Sequence, residues 1–447
     1  MKKILSVALA AVMLAGVLAG CKAAESDMSG TEQKVLKVAA LESAYGTQIW
    51  KDIAKAFEED NEGVKVELTI DKNLEDVISP KMKAGDYPDV VHLSIGREKA
   101  LTETLTKENG LRDLSNMLDM TVPGEDVKVK DKIIPEFLGT SITNPYSDGK
   151  PYLAPAFYGP CGLFYNAGLF EQKDWKVPAT WDEMWELAET AKAEGIALFT
   201  YPTAGYFDAL FYALLMEAGG SDFFEKATHY SEGIWDTAEA NQVFEIIGKL
   251  AANTETSTVA NANNDNYLKN QQLILDNKAL FMPNGTWVTG EMVDAPRADG
   301  FEWGFTALPA IGDGDRYSYT YFEQTWSPQK AANPELADKF MAFLYSDKAA
   351  EIFATAGKAE GKGPAVQPIK NVSSLLEGEN KLFYSIYDND AAKAVMGAFA
   401  TTDPVEGVSI ADAAFNSINS VVSGDKTLEQ WKAGIVDASN KLRGALK

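Results

Sequence analysis

"VLKVAALESAYGTQIWKDIAKAFEED" occupies residues 35–60, and its two halves carry different periodicities. Residues 35–41 are apolar and β-branched in partial alternation, the pattern of a strand. From Gly46 the period lengthens, and Ile49, Trp50, Ile53, Ala54 and Phe57 fall on one face of a helix. The strand signal returns in "VKVELTI" (64–70) and "PDVVHLS" (88–94), on either side of the stretch from Asp71 to Ala84. This is a βαβαβ opening, which predicts an α/β fold with a mostly parallel sheet flanked by helices.

A second alternating block begins at "GLFYN" (162–166). A helix over 180–194 follows, where Thr180 and Glu183 form a capping box, and then the strand "IALFTY" (196–201). Helices are predicted around 207–218 and 237–252, the latter capped by Asp236 with Glu239 three residues on. "ALFMP" (279–283) and "EWGFTALPAI" (302–311) read as strands, and the chain from about 333 as mainly helical. No linker rich in Pro, Gly and Ser divides the blocks. Two segments punctuated by Pro and Gly, "LAPAFYGPCG" (153–162) and "LPAIGDGD" (308–315), are candidate crossovers between lobes that exchange chain more than once. Lobes joined in that way share a cleft and a hinge.

Lys2 and Lys3 precede an apolar run from Ile4 to Ala19, too short for a comfortable membrane span, and "LAGC" (18–21) resembles a bacterial lipobox. Residues 1–20 are therefore expected to be a signal peptide, Cys21 the lipidated first residue, and 21–34 a flexible polar tether. The formal charge of −24 becomes −26 once Lys2 and Lys3 are removed. So acidic a surface repels phosphate backbones, which excludes nucleic acid as a partner and leaves membrane attachment to the lipid. Cys161 is then the one remaining cysteine, so no intrachain disulfide can form and stability must come from the core.

Hydrolase and transferase signatures are mostly missing, while paired carboxylates for glycoside hydrolysis stay open, because 65 acidic residues make coincidental pairs inevitable. The chain has no Gly-x-Ser-x-Gly elbow, no Walker loop and no Gly-x-Gly-x-x-Gly after its first strand. With His92 and His229 as the only histidines, both read as surface or satisfied loop residues, a zinc site or a Ser/His/Asp triad lacks raw material. "DGDR" (313–316) is turn chemistry rather than a calcium loop. Neither a cofactor nor a metal is expected. Aromatics carry more information, because Tyr45, Phe157, Tyr158, Tyr206, Phe207, Trp287, Phe322 and Trp326 fall in loops beside predicted strand ends. Sugar rings pack their C–H faces on such rings, and neighbouring Asn, Asp, Glu, Gln or Arg can meet their hydroxyls. Trp287 is the clearest case: Asn284 and Gly285 make a turn after a strand, and Thr286 is placed to cap a following helix.

"GLFYNAGLFEQKDWKVPATWDEMWELAETAKAEG" (162–195), "FMPNGTWV", "WGFTALPA" and "PELADKFMAFLYSDKAAEIFA" closely resemble, in order and spacing, the carbohydrate-binding solute-binding proteins of ABC importers. "KAFEEDNEGVKVEL" and "AGDYPDVV" extend that resemblance to the start of the domain. It implies a two-lobed periplasmic-binding-protein-like fold of type II with the ligand at the hinge. Lobe 1 would be 35–156 plus 306–346 and lobe 2 160–304 plus 348–447, with crossings near 157–159, 305 and 347. By the same resemblance, Trp287 stacks on sugar beside Asn284, and Tyr45 lies in the first binding loop. Arg97 offers a polar contact, Phe157 and Tyr158 face the cleft, Tyr206 and Asp208 bring contacts from lobe 2, and Glu323 and Trp326 lie on the returning segment. His92-Leu93-Ser94-Ile95 stands where the maltose-type pattern has a stacking tryptophan. The resemblance is closer to the branch for N-acetylglucosamine and diacetylchitobiose uptake. The expected function is a monomeric, non-enzymatic, lipid-anchored receptor on the outer face of the bacterial cell membrane. It would pass a neutral or N-acetylated mono- or oligosaccharide to an ABC permease; the alternative is a lipid-anchored glycoside hydrolase with an aromatic-lined cleft.

Overall fold

Leu36, Val38, Ala39, Ala40 and Leu41 of the first strand are all buried, so its inner end is covered on both faces, as a central parallel strand must be. The computed structural model describes residues 33–43, 45–97 and 99–446, and the expected signal peptide and Cys21 lie outside them. The strands are β1 (Lys34–Leu41), β2 (Val64–Asp71), β3 (Val90–His92), β4 (Ala154–Asn166), β5 (Ala197–Phe199), β6 (Ala279–Gly285), β7 (Trp303–Thr306), β8 (Tyr317–Trp326) and β9 (Lys393–Val395). They form one continuous path in the order β2-β1-β3-β8-β4-β6-β5, with β7 added on β4 and β9 on β8. Pairing is parallel among β2, β1 and β3 and between β5 and β6, the strands that grow from βαβ units. It is antiparallel wherever β4 meets β6 and β7 and where β8 meets β3 and β4.

β4 ties the two halves together. Ala154–Pro160 pairs with β8, while Cys161–Asn166 pairs with β6 and β7. Successive side chains of a strand point to opposite faces, so Phe164 enters one hydrophobic cluster and Leu163 the other. The expected punctuated crossover at 153–162 is thus a single strand that tolerates Pro155 and Pro160. Its register shifts between Pro155 and Tyr158, where the Tyr158 N–H leaves the ladder for the Val366 carbonyl at 3.0 Å. The second crossing is β8, which follows the turns at 308–315 instead of lying in them.

One core packs the helix Gln48–Asp60 against β1, β2 and the helices Pro334–Phe343 and Asp347–Thr355. The other surrounds the helices Phe207–Thr228, Ala238–Ala252 and Leu428–Arg443. Residues 348–376, expected in lobe 2, pack with the first core. Trp50 lies 5.8 Å from Phe353 ring to ring, Glu360 accepts the Thr47 and Gln48 N–H groups at 2.7 and 3.0 Å, and Ala365, Val366 and Ile369 are buried there. The capping box at Thr180 and Glu183 is formed as read. The cap of the helix Ala238–Ala252 is Thr237, which accepts from the Ala240 N–H at 3.2 Å, not Asp236, which closes the preceding turn. Among the described residues, no helix is long and apolar enough to cross a membrane.

Candidate functional site

β6 is buried along its whole length and ends at Asn284 and Gly285, where the Asn284 side-chain oxygen accepts the Gly285 N–H at 2.8 Å. The turn delivers Trp287 to the start of the short helix Val288–Glu291; Trp287 itself is the N-cap, and Thr286 makes no capping bond. The indole folds back over Gly285, where a Cβ would stand 2.1 Å from the ring, so glycine is required by space. Trp287 nevertheless stays 40% exposed. Its Nε1–H donates to the Tyr206 hydroxyl at 3.2 Å, and the Tyr321 ring lies 6.3 Å away at 51°.

Tyr206 closes a short turn that feeds the helix Phe207–Thr228, and Asp208 sits in the first turn of that helix. The Tyr321 hydroxyl reaches across from β8 and donates to Asp208 Oδ2 at 2.9 Å. Burial pushes the Asp208 carboxyl above its ordinary range, although the Tyr321 and Ala209 hydrogen bonds pull the other way. Burial likewise pushes the Tyr206 hydroxyl up to about 12. The elements therefore bring a half-exposed indole, two tyrosines and one carboxylate to a common point.

Two spaces meet there. An open cleft of about 940 Å³ runs past Tyr45, Phe157, Tyr158, Glu323 and the rim residue His229. A smaller chamber of about 410 Å³ adjoins it and is itself open to solvent, lined by Tyr206, Asp208 and Asn284. Trp287, Tyr319 and Tyr321 line both, so the two spaces meet at these side chains.

Not every residue expected at the site faces the cleft with a free group. Tyr45 borders it half-buried, edge-on to Phe157 at 5.3 Å, and burial raises its hydroxyl well above the ordinary value. Phe157 and Tyr158 border it too but are 2% and 1% exposed, packed mainly into the first core. Phe207 is buried in the second core, and Phe322 is part-buried along the cleft. Glu323 borders the cleft with Oε2 2.8 Å from Nε2 of His92, a fully buried residue of β3 and not the surface or loop histidine expected. Arg97 lies outside both linings, held by Glu75 through Nε at 2.7 Å and Nη2 at 3.0 Å. Trp326 is fully buried beside Val91, with Nε1 donating to the Leu93 carbonyl at 3.3 Å, and is a core residue. The sequence reading missed Tyr319 and Tyr321; the alternation of aromatic and small residues in "YSYTY" (317–321) was the available signal.

A profile of the bacterial extracellular solute-binding proteins matches residues 43–351. The chain belongs to that family. This solute-binding protein is 22% identical over 345 residues to the diacetylchitobiose binding protein NgcE of Streptomyces coelicolor, covering 75% of this chain and 71% of that one. It is 21% identical over 374 residues to the multiple sugar-binding protein of Streptococcus mutans, covering 80% and 84%. Its fold is that of apo RafE from Streptococcus pneumoniae, with a TM-score of 0.65 at 20% identity over 93% of this chain and 98% of that one. The solute-binding protein is thus an extracellular, non-enzymatic receptor with the α/β periplasmic-binding-protein fold. Its cleft is lined by residues 157–159 of β4 and 319–324 of β8.

Proposed function

We propose that this protein captures a neutral or N-acetylated mono- or oligosaccharide in the cleft beside Trp287 and hands it to an ABC import permease. The observation that carries the reading is the indole of Trp287, held over Gly285 and left 40% exposed in a cleft of about 940 Å³. An anchored flat apolar face with hydroxyl and carboxylate groups at its edge suits a pyranose, whose ring presents C–H groups on its face and hydroxyls around its rim. The names of the diacetylchitobiose and multiple-sugar relatives support the same class of ligand. The two halves would close on the sugar by bending β4 and β8 near 157–161 and 318–322, with the protein working as a monomer. Cys21 would carry the lipid that keeps it at the membrane.

A thermal-shift screen over mono- and oligosaccharides tests the reading. A ligand at about a hundred times its dissociation constant adds roughly 2.7 kcal/mol of stability, which is a clear melting shift. A screen in which no sugar stabilises the protein would refute it.

A further inference from the structure

We propose that the smaller chamber beside Trp287 is an acyl-selectivity pocket, which receives the acetamido group of an N-acylated sugar whose ring lies on Trp287. The proposal rests on the sugar-binding reading above and adds to it the residues that set specificity. Three features of the chamber lead to it.

The first is an unused donor. Asn284 is 2% exposed; its Oδ1 accepts the Gly285 N–H, but its Nδ2 has no partner. Native proteins seldom leave a buried amide N–H unpaired, and those they do keep call for an explanation in function or bound water. The second is an acceptor with capacity to spare. Asp208 Oδ2 takes the Tyr321 hydroxyl and Oδ1 the Ala209 N–H, and each carboxylate oxygen can accept a further bond. The third is the character of the remaining wall, where Leu210, Ala213, Pro283 and Leu308 supply apolar surface.

A secondary amide matches all three. Its carbonyl accepts from Asn284 Nδ2, its N–H donates to Asp208, and its methyl packs on Leu210, Ala213 and Leu308. A bare hydroxyl matches only the polar pair. It fills about one water's share of space, roughly 30 Å³, and leaves the apolar wall unused in a chamber of about 410 Å³. A free amine would meet Asp208, but as an ammonium it has no acceptor to offer the Asn284 donor.

Calorimetric titration of the full-length protein with N,N′-diacetylchitobiose, chitobiose and cellobiose, which share one linkage and differ at C2, decides the matter. Wild type is expected to prefer diacetylchitobiose over cellobiose and chitobiose by at least tenfold. Ala213→Leu, which narrows the chamber and leaves the turn untouched, should bring that ratio toward one with little change for cellobiose, and Asn284→Ala, which removes the donor together with the turn bond to Gly285, should weaken both ligands but diacetylchitobiose the more, lowering the ratio as well. Melting curves of the unliganded variants confirm that they are folded. A wild type without the preference, a preference for chitobiose, or a preference that survives both substitutions would overturn the proposal. Tight binding of cellobiose or another unacylated sugar in that event would leave the receptor reading standing, whereas failure to bind any sugar would remove both.

Discussion

Replacing Trp287 by alanine deletes the indole face that the cleft holds out to solvent beside the Tyr321 ring, and the loss can be worked from its exposure. A tryptophan side chain offers at most about 250 Å² of burial. With 40% of Trp287 still exposed, about 100 Å² remains for a ligand to cover, worth roughly 2.5 kcal/mol at 25 cal/mol per Å². A tenfold change in affinity is about 1.4 kcal/mol, so the variant should bind its sugar more than tenfold more weakly. The rest of the ring is already covered by Gly285, Tyr206 and Tyr321, and the Nε1 bond to Tyr206 is lost as well, so some folded stability goes too. The two effects are read separately, the dissociation constant by calorimetry well below the melting point and the melting point by scanning the unliganded protein. An alanine variant that melts early yet binds within twofold of wild type would refute the stacking argument and make Trp287 a packing residue.

Burial pushes the Glu75 carboxyl up, but the Arg97 guanidinium outweighs it and holds the group below its usual range. Arg97→Ala leaves that carboxylate, 3% exposed, without its partner, and should cost about 2–3 kcal/mol of stability, seen in denaturant melts. Sugar affinity should stay within twofold; a selective loss of affinity would return Arg97 to the site. Burial pushes the Glu217 carboxyl up to about 8, against hydrogen bonds from Trp181 and Tyr317 and the nearby Arg316 charge. The folded state therefore holds that proton more tightly than the unfolded chain, and the contribution is full below about 4.5 and lost as pH rises through about 8. Between pH 5 and pH 9 the melting point of Glu217→Gln should gain several degrees relative to wild type, and a constant difference would contradict the assignment. Cys21→Ser should leave folding and binding unchanged and release the protein from membranes, because residues 22–34 carry neither an apolar stripe nor a basic cluster; retention in the membrane fraction would rule out the lipid as the sole anchor.

Local chemistry was enough to read what depends on neighbours in sequence. Helix periodicity placed Ile49, Trp50, Ile53 and Phe57 in the core, and the capping box at Thr180 and Glu183 marked a helix start. The turn after β6 put Trp287 at the cleft, because a strand end, a turn and an aromatic are all encoded within ten residues. Tertiary structure alone decided which of the other aromatics and charges reach the cleft. Tyr321 and Trp326 belong to one strand, yet Tyr321 stands in the cleft and Trp326 is sealed beside Val91, a difference set by pairing with β3 and β4 more than 150 residues away. The family resemblance suggested Arg97 as a polar contact, but Glu75 claims its guanidinium in space. Residues 348–376 joined the first core and not the second because Trp50 and Thr47 meet Phe353 and Glu360 there, and no local pattern records such a meeting. Periodicity and turn chemistry act over a few residues, whereas partners across a sheet are chosen by the packing of the whole chain.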